Sequence, residues 1–229
     1  MKNLIFLSLL IVSASTLAQN VNPITNPYND ILNPDLFNRK EYAAFKGTPF
    51  LLEEPAKGKV IFKNGEERSF EKINLDFYKN QSIVEVDGKE STLLNKYLKE
   101  IQLSSDEVGY KTFRILVENG DYVFYEVLGR DNVKLLKKRD LQLKVEDRSN
   151  ATSYSGNTDT NQQKFVTEVS YFWTSDYQSL MTVSSKKKDF ISDFDSVDGL
   201  GDFLKSEKLN PKNENDLIKI FDYINFKGI

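Results

Sequence analysis

Up to about residue 185 the apolar positions of this chain recur every second residue, and after it they recur at helical spacing. That order predicts strands first and helices last. The clearest stretch runs from Lys111 to Leu128, two alternating runs around Asn119-Gly120. A two-residue hairpin turn needs positive φ at both positions, which Asn and Gly adopt at least cost. With those residues in the turn, Val117 faces Tyr122, Ile115 faces Phe124 and Phe113 faces Glu126 on one side. Leu116 meets Val123 and Arg114 meets Tyr125 on the other. Apolar residues on both sides place this hairpin in the middle of a sheet.

Upstream, residues 50–52, 59–62, 67–73, 75–78, 83–86 and 90–94 form short apolar-rich runs broken by turn signals, Asn64-Gly65 and Asp87-Gly88 being the clearest. Parallel neighbours would need crossovers of about a dozen residues or more, so such close spacing predicts an antiparallel meander. Residues 95–103 fit either period and are read as strand. Downstream, Gly129-Arg130-Asp131-Asn132 turns the chain into residues 133–136, and Leu141, Leu143 and Val145 alternate as a further strand. Phe165, Thr167, Val169, Tyr171 and Trp173 share one face of another, with a partner expected at residues 180–183. Between these runs lies a polar loop, residues 147–163, with Ala151 and Tyr154 as its apolar side chains. Loops this long are functional or mobile.

Both ends read differently. Residues 19–45 carry Asn22-Pro23, Asn26-Pro27 and Asn33-Pro34, and proline biases its predecessor toward extended backbone, so an extended arm with one short helical turn near residues 38–45 is expected. The final segment, residues 186–229, carries helical clusters at Phe190, Ile191 and Phe194, at Leu200, Phe203 and Leu204 after Gly199, and at Leu217, Ile220, Phe221 and Ile224. Asn213 is placed to cap the last helix. The predicted fold class is α+β, mostly β: an antiparallel meander sheet or partly open barrel over residues 46–185, with short C-terminal helices packed on it.

Composition adds a destination. Met1-Lys2-Asn3, the apolar run from Leu4 to Val12 and Thr16-Leu17-Ala18 before Gln19 form the positive start, apolar run and small-residue cleavage pattern of a secretory signal peptide, residues 1–18. That run is far below the about 20 residues that span a bilayer, so the expected mature chain is exported, periplasmic or extracellular, without a transmembrane segment. The full sequence has 31 basic and 34 acidic residues and no cysteine, so it can form no disulfide. A mild acidic excess argues against a nucleic-acid partner, which would require a concentrated basic face. The dense basic groups, Lys137-Lys138-Arg139 and Lys186-Lys187-Lys188, are each followed by Asp and read as solvated element ends.

Candidate chemistry is sparse. There is no histidine and no cysteine, which removes the commonest general base, the thiolate nucleophile and nearly every zinc, copper or haem site. No cofactor is expected. Ser-x-x-Lys occurs at Ser69 to Lys72 and Ser185 to Lys188, but without the companion motifs of penicillin-recognising enzymes, and reads as coincidence. Asp193-Phe194-Asp195-Ser196-Val197-Asp198-Gly199 opens like a calcium loop. Its fifth position is Val197 and its sixth, which must be Gly, is Asp198, so helix caps explain Asp193, Asp195 and Asp198 equally well. Glu53-Glu54 and Glu66-Glu67 pair acids, yet adjacent strand residues point to opposite faces. Tyr171, Trp173 and Tyr177, beside Tyr154 of the polar loop, are the candidate ligand-binding residues, a stacking platform for sugar or peptide set against ordinary core packing.

Lys46-Gly47-Thr48-Pro49-Phe50-Leu51, Gly58-Lys59-Val60 with its Asn-Gly turn, Gly120-Asp121-Tyr122 followed by Leu135-Leu136-Lys137-Lys138, and the run from Asn213 to Lys219 with Tyr223-Ile224-Asn225 resemble a set of uncharacterised exported bacterial proteins. The similarity covers residues 46–146 and 186–225, implies export and a β-rich domain, and carries no site. The expected function is a non-enzymatic exported domain that binds a protein or glycan at the bacterial envelope or outside it. Two alternatives stand beside it. A carboxylate-dependent glycan hydrolase needs two inward carboxyls ~5–9.5 Å apart. A lipocalin-like carrier of an apolar small molecule needs an empty apolar interior.

Overall fold

The computed structural model describes residues 31–145 and 163–228. The expected leader, residues 19–30 of the arm, Tyr154 and all but the last residue of the polar loop lie outside them. Among the described residues the strands are β1 (Leu32–Leu36), β2 (Ala56–Phe62), β3 (Glu67–Asp76), β4 (Gln81–Val86), β5 (Lys89–Leu93), β6 (Leu98–Ser105), β7 (Gly109–Glu118), β8 (Asp121–Gly129), β9 (Lys134–Val145), β10 (Gln163–Thr174) and β11 (Met181–Thr182). They form one open, mostly antiparallel meander in the order β1-β5-β4-β3-β2-β6-β7-β8-β9-β10-β11. Asn119 and Gly120 turn with φ of 53° and 93°, and the hairpin they close pairs Phe113 with Glu126, Ile115 with Phe124 and Val117 with Tyr122. This is the register the turn residues dictate.

The sheet is strongly curled. Phe77, just past β3, lies 5.9 Å from the Phe113 ring on β7 and 6.1 Å from Phe124 on β8, although β2 and β6 stand between β3 and β7. Gly58 permits part of that curvature, since a Cβ there would lie 2.5 Å from Ile73 Cγ2 and 2.7 Å from the Gln102 carbonyl oxygen. A strap runs across the curl. Lys46 pairs with the start of β10, its N–H donating to the Gln163 carbonyl at 3.0 Å, and Phe77 N–H donates to the Pro49 carbonyl at 2.9 Å.

Two expected breaks are continuous strands. Residues 67–73 and 75–78 read as separate because Asn74 interrupts the apolar pattern. Asn74 is instead fully buried, its Oδ1 accepting from Leu52 N–H at 3.1 Å and its Nδ2 donating to the Leu52 carbonyl at 2.8 Å, so it pairs with backbone as a neighbouring strand would. Likewise Lys137-Lys138-Arg139 is no solvated strand end but the middle of β9, where each cation meets a carboxylate: Lys137 with Glu214, Lys138 with Glu118 and Arg139 with Glu126. Residues 32–36 of the expected extended arm pair with β5 as an edge strand, and its short helical turn is a 3₁₀ turn, Arg39–Tyr42.

Helices α1 (Lys187–Asp193), α2 (Leu200–Ser206) and α3 (Glu214–Lys227) follow. Asn213 caps α3 by accepting from Asp216 N–H at 3.1 Å. Phe190, Phe194, Leu204, Leu217, Ile220, Phe221 and Ile224 bury themselves together with Val133 and Leu135, each such side chain contributing about 1.5–3 kcal/mol by leaving water. Asn225 fixes α3 to the sheet: Val133 N–H donates to its Oδ1 at 2.8 Å and its Nδ2 donates to the Val133 carbonyl at 2.9 Å. No described helix is long and apolar enough to cross a membrane.

Candidate functional site

Strands β7 to β10 carry polar clusters on both faces, and the two differ in charge balance. On the inner face Glu126, 1% exposed, accepts from Lys111 Nζ at 2.5 Å and from Arg139 Nη2 at 2.6 Å. The Arg139 guanidinium also covers the Phe77 ring at 5.2 Å. Beside it Lys137 reaches Glu214 at 2.5 Å, and the Tyr171 hydroxyl donates to the same carboxylate at 2.8 Å. Burial pushes the Glu214 carboxyl up, but Lys137 and Tyr171 outweigh it and hold the group below its usual range. The contacts of Lys137 and Tyr171 with Glu214 tie α3 to the sheet, and the Glu126 pairs join β7, β8 and β9.

On the outer face β6, β7 and the turn after β8 converge on Tyr177. Arg114 reaches Glu100 at 3.4 Å, and Arg130 lies 3.8 Å from the other oxygen of that carboxylate while donating to the Thr112 hydroxyl. Arg114 stacks over the Tyr177 ring at 4.4 Å, with Lys134 over the same ring at 5.5 Å. Lys134 itself donates to the carbonyls of Asn132 and Ser175, at 3.0 and 2.7 Å. Three positive charges therefore surround one negative. Arg114 Nε is buried and lacks an acceptor among the described residues, where such groups are normally paired.

Backbone geometry marks the same place. Tyr177 has φ of 65°, a left-handed conformation that is an outlier for a bulky side chain and costs of order 1–3 kcal/mol. The turn that holds it is built on hydrogen bonds. Tyr177 N–H donates to Thr174 Oγ1 at 3.0 Å, and the Asp176 carboxylate accepts from the N–H groups of Gln178 and Ser179 at 2.8 and 3.0 Å. Those backbone donors keep the Asp176 carboxyl below its usual value and turn it toward its own loop. Burial pushes the Tyr177 hydroxyl up, with Arg114 opposing.

The structure divides the candidate residues. Tyr171 and Trp173 lie on the inner face: Tyr171 is tied to Glu214, and Trp173 packs 4.8 Å from the Phe194 ring. Tyr177 packs on the opposite face with Val123, Tyr125 and Leu136. The three do not make one stacking platform, because consecutive strand residues alternate faces and the turn carries Tyr177 over the other side. Tyr154 lies outside the described residues. Among the described residues no three acidic side chains are grouped to hold a metal ion, so Asp193, Asp195 and Asp198 do not converge. Asp193 instead accepts from the Ser184 hydroxyl at 2.5 Å, and the Asp198 carbonyl accepts from the Tyr223 hydroxyl at 3.1 Å. Asp76 is the carboxyl that burial pushes up, yet it is sealed, accepting from the Tyr42 hydroxyl and from the N–H groups of Tyr78 and Lys79.

No protein-family model, no curated protein and no solved structure matches this chain.

Proposed function

We propose that this chain is an exported, non-catalytic binding domain that acts at the bacterial envelope or outside it. The observation that carries this reading is the outer-face cluster, where a strained tyrosine is framed by more cations than the local carboxylate balances. Strain and unspent charge together favour a surface built to meet something over one built for stability. Export rests on the signal-like segment at residues 1–18. A glycan hydrolase is less favoured, since Glu126 and Glu214 are both neutralised by lysine or arginine and a general acid would need the opposite setting. An apolar carrier is less favoured because Phe77 packs against both Phe113 and Phe124 inside the curl.

The test is retention of the purified processed chain on envelope material and on isolated envelope glycans. Saturable retention that falls in Arg130→Gln supports the reading. A chain that repeatedly recovers nothing and is inert toward glycans overturns it, as does turnover of any substrate.

A further inference from the structure

We infer that the outer-face cluster is an oxyanion site, taking the phosphate or carboxylate group of a ligand between Arg114 and Arg130. This rests on the binding function proposed above and names the chemistry that the site would recognise. Arg114, Arg130 and Lys134 supply three positive charges, and Glu100 supplies the one carboxylate that pairs with either arginine. Lys134 is held by carbonyl oxygens and an aromatic face, none of which neutralises it. The excess of two positive charges is what an oxyanion would complete.

Donor geometry points the same way. Arg114 is 16% exposed and stacked on Tyr177, so its guanidinium plane is fixed, and its buried Nε–H has no acceptor among the described residues. Arg130 is 50% exposed and engages Thr112 and Glu100 through a single terminal nitrogen, Nη2. One rigid donor at depth and one adaptable fork at the rim is an arrangement suited to a two-oxygen anion, which arginine binds through paired N–H groups. The left-handed Tyr177 makes the arrangement possible, because its ring is the shelf on which Arg114 lies.

The inner face offers a contrast within the same strands. Arg139 also has a buried nitrogen without an acceptor, at Nη1. There, however, both oxygens of Glu126 are taken up by Lys111 and Arg139, and the neighbouring Lys137 is matched by Glu214, which also accepts from Tyr171. Two acids meet three bases in that inner cluster, against one acid and three bases around Tyr177; farther along the outer face Lys138 is matched by Glu118 and Asp140 and adds no excess.

The experiment is a titration of the full processed chain at low ionic strength, followed by amide and tyrosine NMR shifts. Inorganic phosphate, glucose 6-phosphate, glucuronate and neutral glucose are the four probes. Saturable shifts at Tyr177 and its turn with phosphate and its ester, with glucuronate, or with both, and none with glucose, are expected; which charged probe binds more tightly identifies the group. Arg130→Gln, half in solvent, should leave folding intact and weaken binding by about tenfold or more, the loss of a charge-assisted pair. Arg114→Lys keeps the charge but loses the planar donors, and is expected to weaken binding similarly. Lys57→Gln, which removes an exposed lysine elsewhere on the sheet, should change nothing. Absence of saturable shifts with every charged probe, or equal affinity in wild type and Arg130→Gln, overturns the site. Retention on envelope material measured alongside separates the two claims: retention persisting while no anion binds removes the oxyanion assignment and spares the binding function.

Discussion

Glu126→Ala isolates the energetics of the inner-face network. Glu126 is 1% exposed and its two oxygens hold Lys111 and Arg139 at 2.5 and 2.6 Å. Deleting one partner of a buried ion pair strands the other charge and costs about 3–5 kcal/mol. Two features place the expected loss near the lower end. Lys111 is 26% exposed and can turn its ammonium to water, and Arg139 keeps its stacking on Phe77. A loss of about 3 kcal/mol lowers the melting temperature of a domain this size by roughly 6–12 °C. Urea unfolding followed by the fluorescence of Trp173, the sole tryptophan and packed on Phe194, reads the change directly. A second variant checks the cause. Replacing all three groups with apolar residues of similar volume, Lys111→Met, Glu126→Leu and Arg139→Met together, should recover most of the stability, because stranded charge and not lost volume is the penalty. A single variant that loses under about 1 kcal/mol, or a triple variant as unstable as the single one, would refute this reasoning.

Three further outcomes are expected. Asn225→Ala removes two hydrogen bonds to Val133 and one to the Phe221 carbonyl, and should cost about 1.5–4.5 kcal/mol in chemical denaturation at about 0.5–1.5 kcal/mol per bond. Gly58→Ala drives a methyl group into Ile73 and the Gln102 carbonyl and should cost about 2–3 kcal/mol, the upper part of the overpacking range, as seen by differential scanning calorimetry. Asp76→Asn tests pH linkage. Burial raises the folded carboxyl above its unfolded value, so the stability Asp76 contributes is fully present below the unfolded value and is lost as pH rises through the folded one. Relative to Asp76→Asn, wild type should therefore gain stability as pH falls from neutral toward 4, measured by paired denaturant melts. A gap that is flat with pH would count against it.

The sheet was legible because its signals are local. Asn119-Gly120 determines its own register, and Asn213 announces the last helix. What was misread depended on distant partners. Asn74 looked like a break because nothing in its neighbourhood says that Leu52 will present a free backbone edge, and Lys137-Lys138-Arg139 looked solvated because Glu118, Glu126 and Glu214 come from other elements. The outer-face cluster was missed for the same reason, its cations arriving from β7, from the turn after β8 and from the start of β9. One signal was available: the hairpin register alone puts Arg114 beside Tyr125 on the face that also carries Leu116 and Val123, and a cation on a covered face demands a partner. The strain at Tyr177 left no trace in the sequence, since the surrounding turn imposes it.

The order of strands also sets how the chain can assemble. Nearly every neighbour in the sheet is the next strand along, and the seams that join distant segments are β1 with β5 and β2 with β6. Hairpins can zip outward from Asn119-Gly120 in microseconds, whereas the β2–β6 seam must wait for the three intervening strands, β3 to β5, to bring their ends together. Gly58 sits in that seam opposite Leu103, so crowding at Gly58 should slow refolding, while damage to the terminal helices should hasten unfolding.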